Sequence, residues 1–279
     1  MKLAKHSTIL LTLTVLTLMA LAATGSYASD RIGAGASWTY DVVQSRLPRV
    51  DNVVIGPDKA IYVTLERSHG NGEIIRLRNG GVQTIASGLN RPDGLVASGS
   101  NLYLSEEVYG GRILKISLKD LRISEIARLK GPEGIKVNQD GVLIIAQDLT
   151  DGRVISLSNG VVTVLAEHLL RPEGLSLGAH GEIYVAETAT GRILRISKAG
   201  IETLIEGLNE PDQVATGPDG SLWITEDRKV ARLLRFKSGR LETVLSKLSE
   251  PQGIAVIDAD SVYVSEQGRD RLLYVHRAD

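Results

Sequence analysis

The chain of 279 residues has no cysteine, one phenylalanine and five histidines. Without cysteine there is no disulfide and no thiolate metal site, and no lipid-anchoring cysteine follows the N-terminal apolar run. Stability therefore rests on a hydrophobic core, which a chain of this length can bury. No long basic run occurs and the net charge is −1, so nothing points to nucleic acid. The apolar stretch Ile9 to Ala23 is short for a membrane span and ends abruptly. Helical 3.6-residue periodicity is missing, which excludes a solenoid of helix pairs.

What is present begins with a targeting segment. Lys2 and Lys5 give a basic start, the apolar run follows, and Ser26 and Ala28 offer the small residues a signal peptidase needs. Residues 1–28 are thus read as a signal peptide and 29–279 as the mature protein, secreted or periplasmic, with no stable membrane insertion after cleavage. The alternative is an uncleaved N-terminal anchor. Removing Lys2 and Lys5 takes the formal charge from −1 to −3.

The 29 glycines point to many turns, and the prolines give a period. Pro92, Pro132, Pro172, Pro211 and Pro251 stand 40, 40, 39 and 40 residues apart. Each opens a similar phrase, such as "RPDGLVASGSNLYLSEEVYGGRILKI" from Arg91 and "RPEGLSLGAHGEIYVAETATGRILRI" from Arg171. A weaker first copy from Arg49 has Val50 in the proline slot, making six copies. Within each copy the alternation has period 2, broken by Gly, Asn and Asp turns, and reads as four strands. Four strands in about forty residues is the signature of a propeller blade. The expected fold is all-β: a six-bladed β-propeller of four-stranded antiparallel blades starting near residues 50, 92, 132, 172, 211 and 251. The last copy stops after its third strand, and an orphan strand, "SWTYDVVQSRL", precedes the first. Residues 37–47 are therefore expected to complete the last blade and close the ring.

In such a ring the first strand of each blade is innermost and neighbouring strands alternate in direction. The residue after each proline then gathers at one mouth of the central channel: Asp51, Asp93, Glu133, Glu173, Asp212 and Gln252. Five carboxylates around one axis repel each other unless a cation binds or some stay protonated. A hard, oxygen-seeking cation such as calcium is one resolution; repeated turn chemistry, each acid capping nearby backbone N–H groups, is the other. With no His or Cys at these positions, zinc is disfavoured. A second ring is expected at the ends of the second strands: Glu66, Glu106, Gln147, Glu187, Glu226 and Glu266. Arginines stand five or six residues on, at Arg112, Arg153, Arg192, Arg232 and Arg271, so Glu–Arg pairs across the hairpins are expected; Glu73 takes the Arg place in the first blade. Of the histidines only His69, in the long first-blade turn, is placed to overlook the mouth as a general base. No Ser–His–Asp arrangement can be argued, and a propeller is the wrong fold for a nucleophile elbow.

The blade phrases, with "EPQGIAVIDADSVYVSE" from Glu250, resemble NHL-type blades and, more broadly, the calcium-dependent six-bladed propellers: gluconolactonase and regucalcin, paraoxonase, and strictosidine synthase-like proteins. The resemblance covers residues 37–279. In the gluconolactonase group an acid of the first blade, two Asn of middle blades and the Asp of a "PDG" phrase hold one metal. By position these fall on Asp51, Glu133, Glu173 and Asp212, so two acids replace the neutral amides here and "PDQ" replaces "PDG", while Asp93 adds a further acid. The resemblance implies a divalent cation, calcium, held among Asp51, Asp93, Glu133, Glu173 and Asp212, and a lactonase or esterase-like hydrolase with Asp212 as base. Two alternatives stand beside it: a non-catalytic NHL-type propeller binding a small molecule or a protein partner at the acidic mouth, and a lyase or strictosidine synthase-like enzyme. A monomer is expected.

Overall fold

The computed structural model describes residues 31–278, and the signal-peptide reading of residues 1–28 lies outside them. The described chain is all-β, six antiparallel sheets with two single-turn 3₁₀ segments and no α-helix. No described helix is long and apolar enough to cross a membrane. The first strands are Val50–Ile55, Pro92–Ser98, Pro132–Val137, Pro172–Leu177, Pro211–Thr216 and Pro251–Asp258, so the proline period marks the blade starts. Each first strand pairs with a second, ending at Leu65, Glu106, Gln147, Glu187, Glu226 and Glu266, and the third and fourth strands follow outward. In blade 6 the outermost strand is Trp38–Ser45, paired antiparallel with Arg271–Arg277. Upstream of it, Gly33–Ala34 adds a short fifth strand to the outer edge of blade 5.

The local chemistry follows the position of each strand. Second strands lie in the middle of a blade and between two neighbours, so "LIIAQ" and "LWITE" are buried throughout. Fourth strands face solvent on one side and are mostly exposed. Turns from third to fourth strand use Asn79–Gly80, Asn159–Gly160 and Ser238–Gly239, all with φ between 49° and 78°, the left-handed pairs that match hairpin twist. Apolar side chains meet in the joints between blades, as Tyr62, Ile74, Leu95, Leu102 and Leu104 do between blades 1 and 2.

Two features bring the first strands together. A Cβ at Gly94 would lie 2.1 Å from the Glu133 carbonyl oxygen, and one at Gly253 would lie 2.6 Å from the Asn52 Cα, so the glycine of the P-x-G phrase permits the next blade's backbone to approach. Hydroxyls then rivet the joints: Thr225 donates to the Gln252 carbonyl at 2.7 Å, Thr64 to that of Asp93 at 3.4 Å, and Ser105 and Ser265 to those of Glu133 and Asp51. Four blades thus hold the backbone of the next blade's mouth residue through one Ser or Thr. The five letters "GLSLG" at 174–178 match a G-x-S-x-G pattern, but they belong to a first strand and its end rather than to a strand–turn–helix, and Ser176 Oγ lies 2.9 Å from Thr216 Oγ1.

Candidate functional site

Asp51, Asp93, Glu133, Glu173, Asp212 and Gln252 line one cavity of about 190 Å³. The same cavity is lined by Glu66, Glu107, Asp227 and Gln267, and by Arg49, Arg91, Arg171 and Glu250. These three sets are three tiers. The first follows each proline. The second is the residue just past the end of each second strand, whose N–H donates to the carbonyl of the residue before the proline in all six blades. The third is that pre-proline residue itself, left-handed throughout with φ between 48° and 60°, at Arg49, Arg91, Gly131, Arg171, Glu210 and Glu250.

The second tier corrects one expectation. Leu65, not Glu66, pairs with Glu73 and closes the second strand of blade 1. Glu66 is one residue further on, and in an extended chain one residue is the other face. It therefore leaves the hairpin ring and joins Glu107 and Asp227 at the mouth. The hairpin pairs stand elsewhere: Glu106 with Arg112, Glu187 with Arg192, Glu226 with Arg232 and Glu266 with Arg271. Gln147 instead donates to the Lys130 carbonyl at 2.8 Å, and Glu73 pairs with Arg67. Glu187 is 1% exposed and accepts from Arg192 Nε at 2.9 Å and the Leu170 N–H at 3.0 Å. Burial pushes its carboxyl up, but bonds from Thr190, Leu170 and Arg192 outweigh that and hold it below the usual range. Glu187→Ala should cost about 2–3 kcal/mol in urea unfolding by stranding those donors; an unchanged midpoint would refute a structural role.

Charge in the mouth is unevenly balanced. Arg49 and Arg91 both reach Glu66 at 2.6 Å, and Arg91 also pairs with Glu107. Arg171 holds Asp148 at 2.9 Å and Glu173 at 2.8 Å, and the Thr188 hydroxyl is 2.6 Å from Glu173. Gln267 donates to Asp51 at 3.0 Å. Among the described residues no hydrogen bond or ion pair reaches the side chains of Asp93, Glu133 and Asp212, and Glu133 is 6% exposed. Burial, then mutual repulsion, raises Asp51, Asp93, Glu133 and Asp212 well above the ordinary carboxylate range; the leading repellers are Glu66 for Asp51, Asp51 for Asp93, and Glu173 for Glu133 and Asp212. Burial takes Glu173 to about 8 against the pull of Thr188 and Arg171, and Glu107 to about 7 against that of Arg91.

Oxygens of Glu133, Glu173 and Asp212 lie within 4.8 Å of one another, and so do those of Glu107, Glu133 and Asp148. Calcium–oxygen bonds of about 2.3–2.6 Å put ligand oxygens at such separations. The all-oxygen donor set fits a hard cation, and Glu133, the carboxylate common to both groups, has no arginine of its own among the described residues. In the second group Glu107 and Asp148 already have Arg91 and Arg171. Asp51 and Asp93 lie in the same mouth but outside both groups. His69, the candidate base, is exposed on the first-blade loop, with its N–H bonded to Asn90 at 2.9 Å, and is not among the residues lining the mouth.

The second tier and the hydroxyl rivets were not expected from sequence. Their signal was available as an acid one place after the second strand in four blades, Glu66, Glu107, Asp148 and Asp227, and a Ser or Thr two places before that position in four, Thr64, Ser105, Thr225 and Ser265.

No family model matches the chain, and no curated protein sequence matches it. Solved structures do. A gluconolactonase from Xanthomonas campestris is 14% identical with a TM-score of 0.72, over 91% of this chain and 94% of that one. A catalytically inactive virginiamycin B lyase from Staphylococcus aureus, solved with quinupristin, is 13% identical with a TM-score of 0.63, over 88% and 99%. The PQQ-bound aldose sugar dehydrogenase from Streptomyces coelicolor is 13% identical with a TM-score of 0.67, over 88% and 100%. At these identities the likeness is one of fold, and the fold is the one the blade phrases imply. The three neighbours carry different chemistries on it.

Proposed function

We propose that the protein is an exported, calcium-binding hydrolase of the lactonase or esterase type, with Glu133, Glu173 and Asp212 as the cation's carboxylate ligands and Asp51 beside them. The observation that carries this is the meeting of three carboxylates from blades 3, 4 and 5 within 4.8 Å, two of which have no donor of their own. A bound divalent cation supplies a Lewis acid for a carbonyl and an anchor for a nucleophilic water. The protein's own part is to hold the ester at the mouth and to manage one proton. Asp212, whose oxygen lies within 4.8 Å of those of Glu133 and Glu173, is the carboxylate assigned to take a proton from attacking water. The arginines of blades 1, 2 and 4 pair with Glu66, Glu107 and Asp148, and the acids lining the mouth outnumber them, which favours substrates that present hydroxyls or a neutral carbonyl over polyanions.

A panel of lactones and aryl esters, assayed with calcium and with EDTA, tests this reading. Turnover should require the cation, and Asp212→Asn should lower it by about a hundredfold or more. Equal rates in Asp212→Asn and the parent would sink the hydrolase assignment. A second reading, a propeller that binds a partner on its acidic face without catalysis, is favoured by the size of the cavity: 190 Å³ holds an ion and little else. It expects calcium uptake with no turnover on any member of the panel.

A further inference from the structure

Five of the second strands carry a large aromatic ring at one matching place: Tyr62, Tyr103, Tyr184, Trp223 and Tyr263. Blade 3 has Ile144 there. The residue paired with it on the third strand is Arg76, Lys115, Arg195, Arg235 or Tyr274, and in blade 3 it is Ser156. This place faces the next blade. Tyr62 packs with Leu95 and Leu104, Trp223 with Val262 and Val264, and Ile144 with Ile183 and Val185. Five blades thus present a ring to the following joint, and in four of them a cation stands opposite it. Blade 3 presents neither.

A cavity opens at that joint, between blades 3 and 4, on the face opposite the acidic mouth. Its volume is about 1020 Å³, against about 620 Å³ beside Tyr184 and about 730 Å³ beside Arg235. That is the upper end of the range for small-molecule sites. Ile144, Leu165, Ile183 and Ile196 give it an apolar wall, and Ser156 and Asp140 line it as well. Asp140 stands four residues before Ile144, as Asp58 stands before Tyr62 and Asp219 before Trp223. Asp58 pairs with Arg76, and Asp219 holds Arg235 at 2.7 Å. With Ser156 in the arginine's place, no cation reaches Asp140 among the described residues. Blade 3 therefore has the acid of this arrangement without its ring or its cation. The basic side chains lining the cavity, His180 and Lys198, come from blade 4.

We propose that this joint binds a small aromatic cation, a ring bearing an amidinium, guanidinium or ammonium group, with the ring against Ile144 and Ile183 and the charge toward Asp140. The ligand takes the place that an aromatic side chain and its arginine take in blades 1, 4 and 5. The site is separate from the acidic mouth and does not depend on the metal reading.

The test is an NMR titration of the isotope-labelled mature chain with benzamidine, in calcium, with benzoate as the control of opposite charge. Benzamidine should bind in the millimolar range or tighter and shift the amides of 138–144 and 178–183. Benzoate should bind at least about tenfold more weakly. Ile144→Tyr/Ser156→Arg rebuilds the pair found in blades 1 and 4; it should melt no lower than the parent and lose benzamidine binding. Ser156→Arg alone sets a cation beside Asp140 and should weaken binding about tenfold, and it serves if the double variant does not fold. Asp140→Asn should weaken binding about threefold or more. The acidic mouth also attracts cations, so Glu133→Gln/Glu173→Gln separates the two places: benzamidine should bind this variant as it binds the parent. Loss of binding there, with Asp140→Asn unaffected, moves the ligand to the mouth and overturns the inference. So does a parent that binds no benzamidine, benzoate binding as tightly, or full binding by both Ser156→Arg and the double variant.

Discussion

In EDTA, the protein should lose stability steadily as the pH rises from about 5 to about 8, and millimolar calcium at pH 8 should restore it. The direction follows from where the protons sit. Glu173 is raised to about 8 and Glu107 to about 7, and Asp51, Asp93, Glu133 and Asp212 are raised as well, mainly by burial. A carboxyl with a raised folded-state pKa keeps its proton in the fold after the unfolded chain has released it. Between the ordinary values near pH 4 and the raised ones, the folded state binds more protons, so stability falls with pH. Below about pH 4 both states are protonated and the penalty is gone. A tenfold difference in proton affinity between fold and unfolded chain is worth about 1.4 kcal/mol per group, so the whole mouth should cost several kcal/mol by pH 8 and lower the melting temperature by on the order of 10 °C. Lys136 acts in the opposite sense. Its ammonium is depressed from 10.5 to about 8, so between those values the unfolded chain holds the extra proton and the descent should flatten. Calcium binds the ionised mouth and reverses the loss by mass action. Melting curves from pH 5 to 9, with and without calcium, decide the matter. A flat profile would sink the electrostatic account, and a falling profile that ignores calcium would sink the metal. Glu133→Gln with Glu173→Gln should raise stability in EDTA at pH 8 and abolish the calcium response.

Replacing Trp223 by alanine should cost about 3–5 kcal/mol in denaturant unfolding, the largest effect expected from a single core substitution here. Trp223 is fully buried on the second strand of blade 5. Trp38, on the strand that completes blade 6, meets it edge-on at 5.3 Å and 80°. Arg235 lies over both rings, at 5.3 and 5.8 Å, with its guanidinium bonded to Asp219 at 2.7 Å and the Ala259 carbonyl at 2.8 Å. Trp38 Nε1 donates to Glu242 at 2.7 Å, and the Arg277 guanidinium lies 3.9 Å from its ring centroid. Removing the indole opens a cavity and strips the aromatic cover from a buried cation, so the transfer loss and the electrostatic loss add. The same stack joins the N-terminal strand to the blade before it, so the ring seam should loosen. Trp223 lies near the start of its strand and the mouth near the end, so calcium affinity should survive in the folded fraction. A loss below about 1 kcal/mol would show that the seam does not depend on this stack.

How much of this can be read in advance depends on whether a residue sits inside a repeat or just past one. Proline spacing and period-2 alternation are local properties, and they determine the blades and the post-proline acids, because an innermost strand has one end at the mouth. Glu66, Glu107 and Asp227 lie one place beyond a strand end, where alternation no longer assigns a face, and a single step moves Glu66 from the expected hairpin ring to the mouth. Which acids find an arginine and which are left bare depends on how neighbouring blades pack, as Arg91 of blade 2 reaching Glu66 of blade 1 and Arg171 of blade 4 reaching Asp148 of blade 3 show. The sequence by itself determined the ring and the five acids at its mouth. Only the tertiary structure decided their charge balance, since burial and counter-ions are set by the packing of one blade against the next.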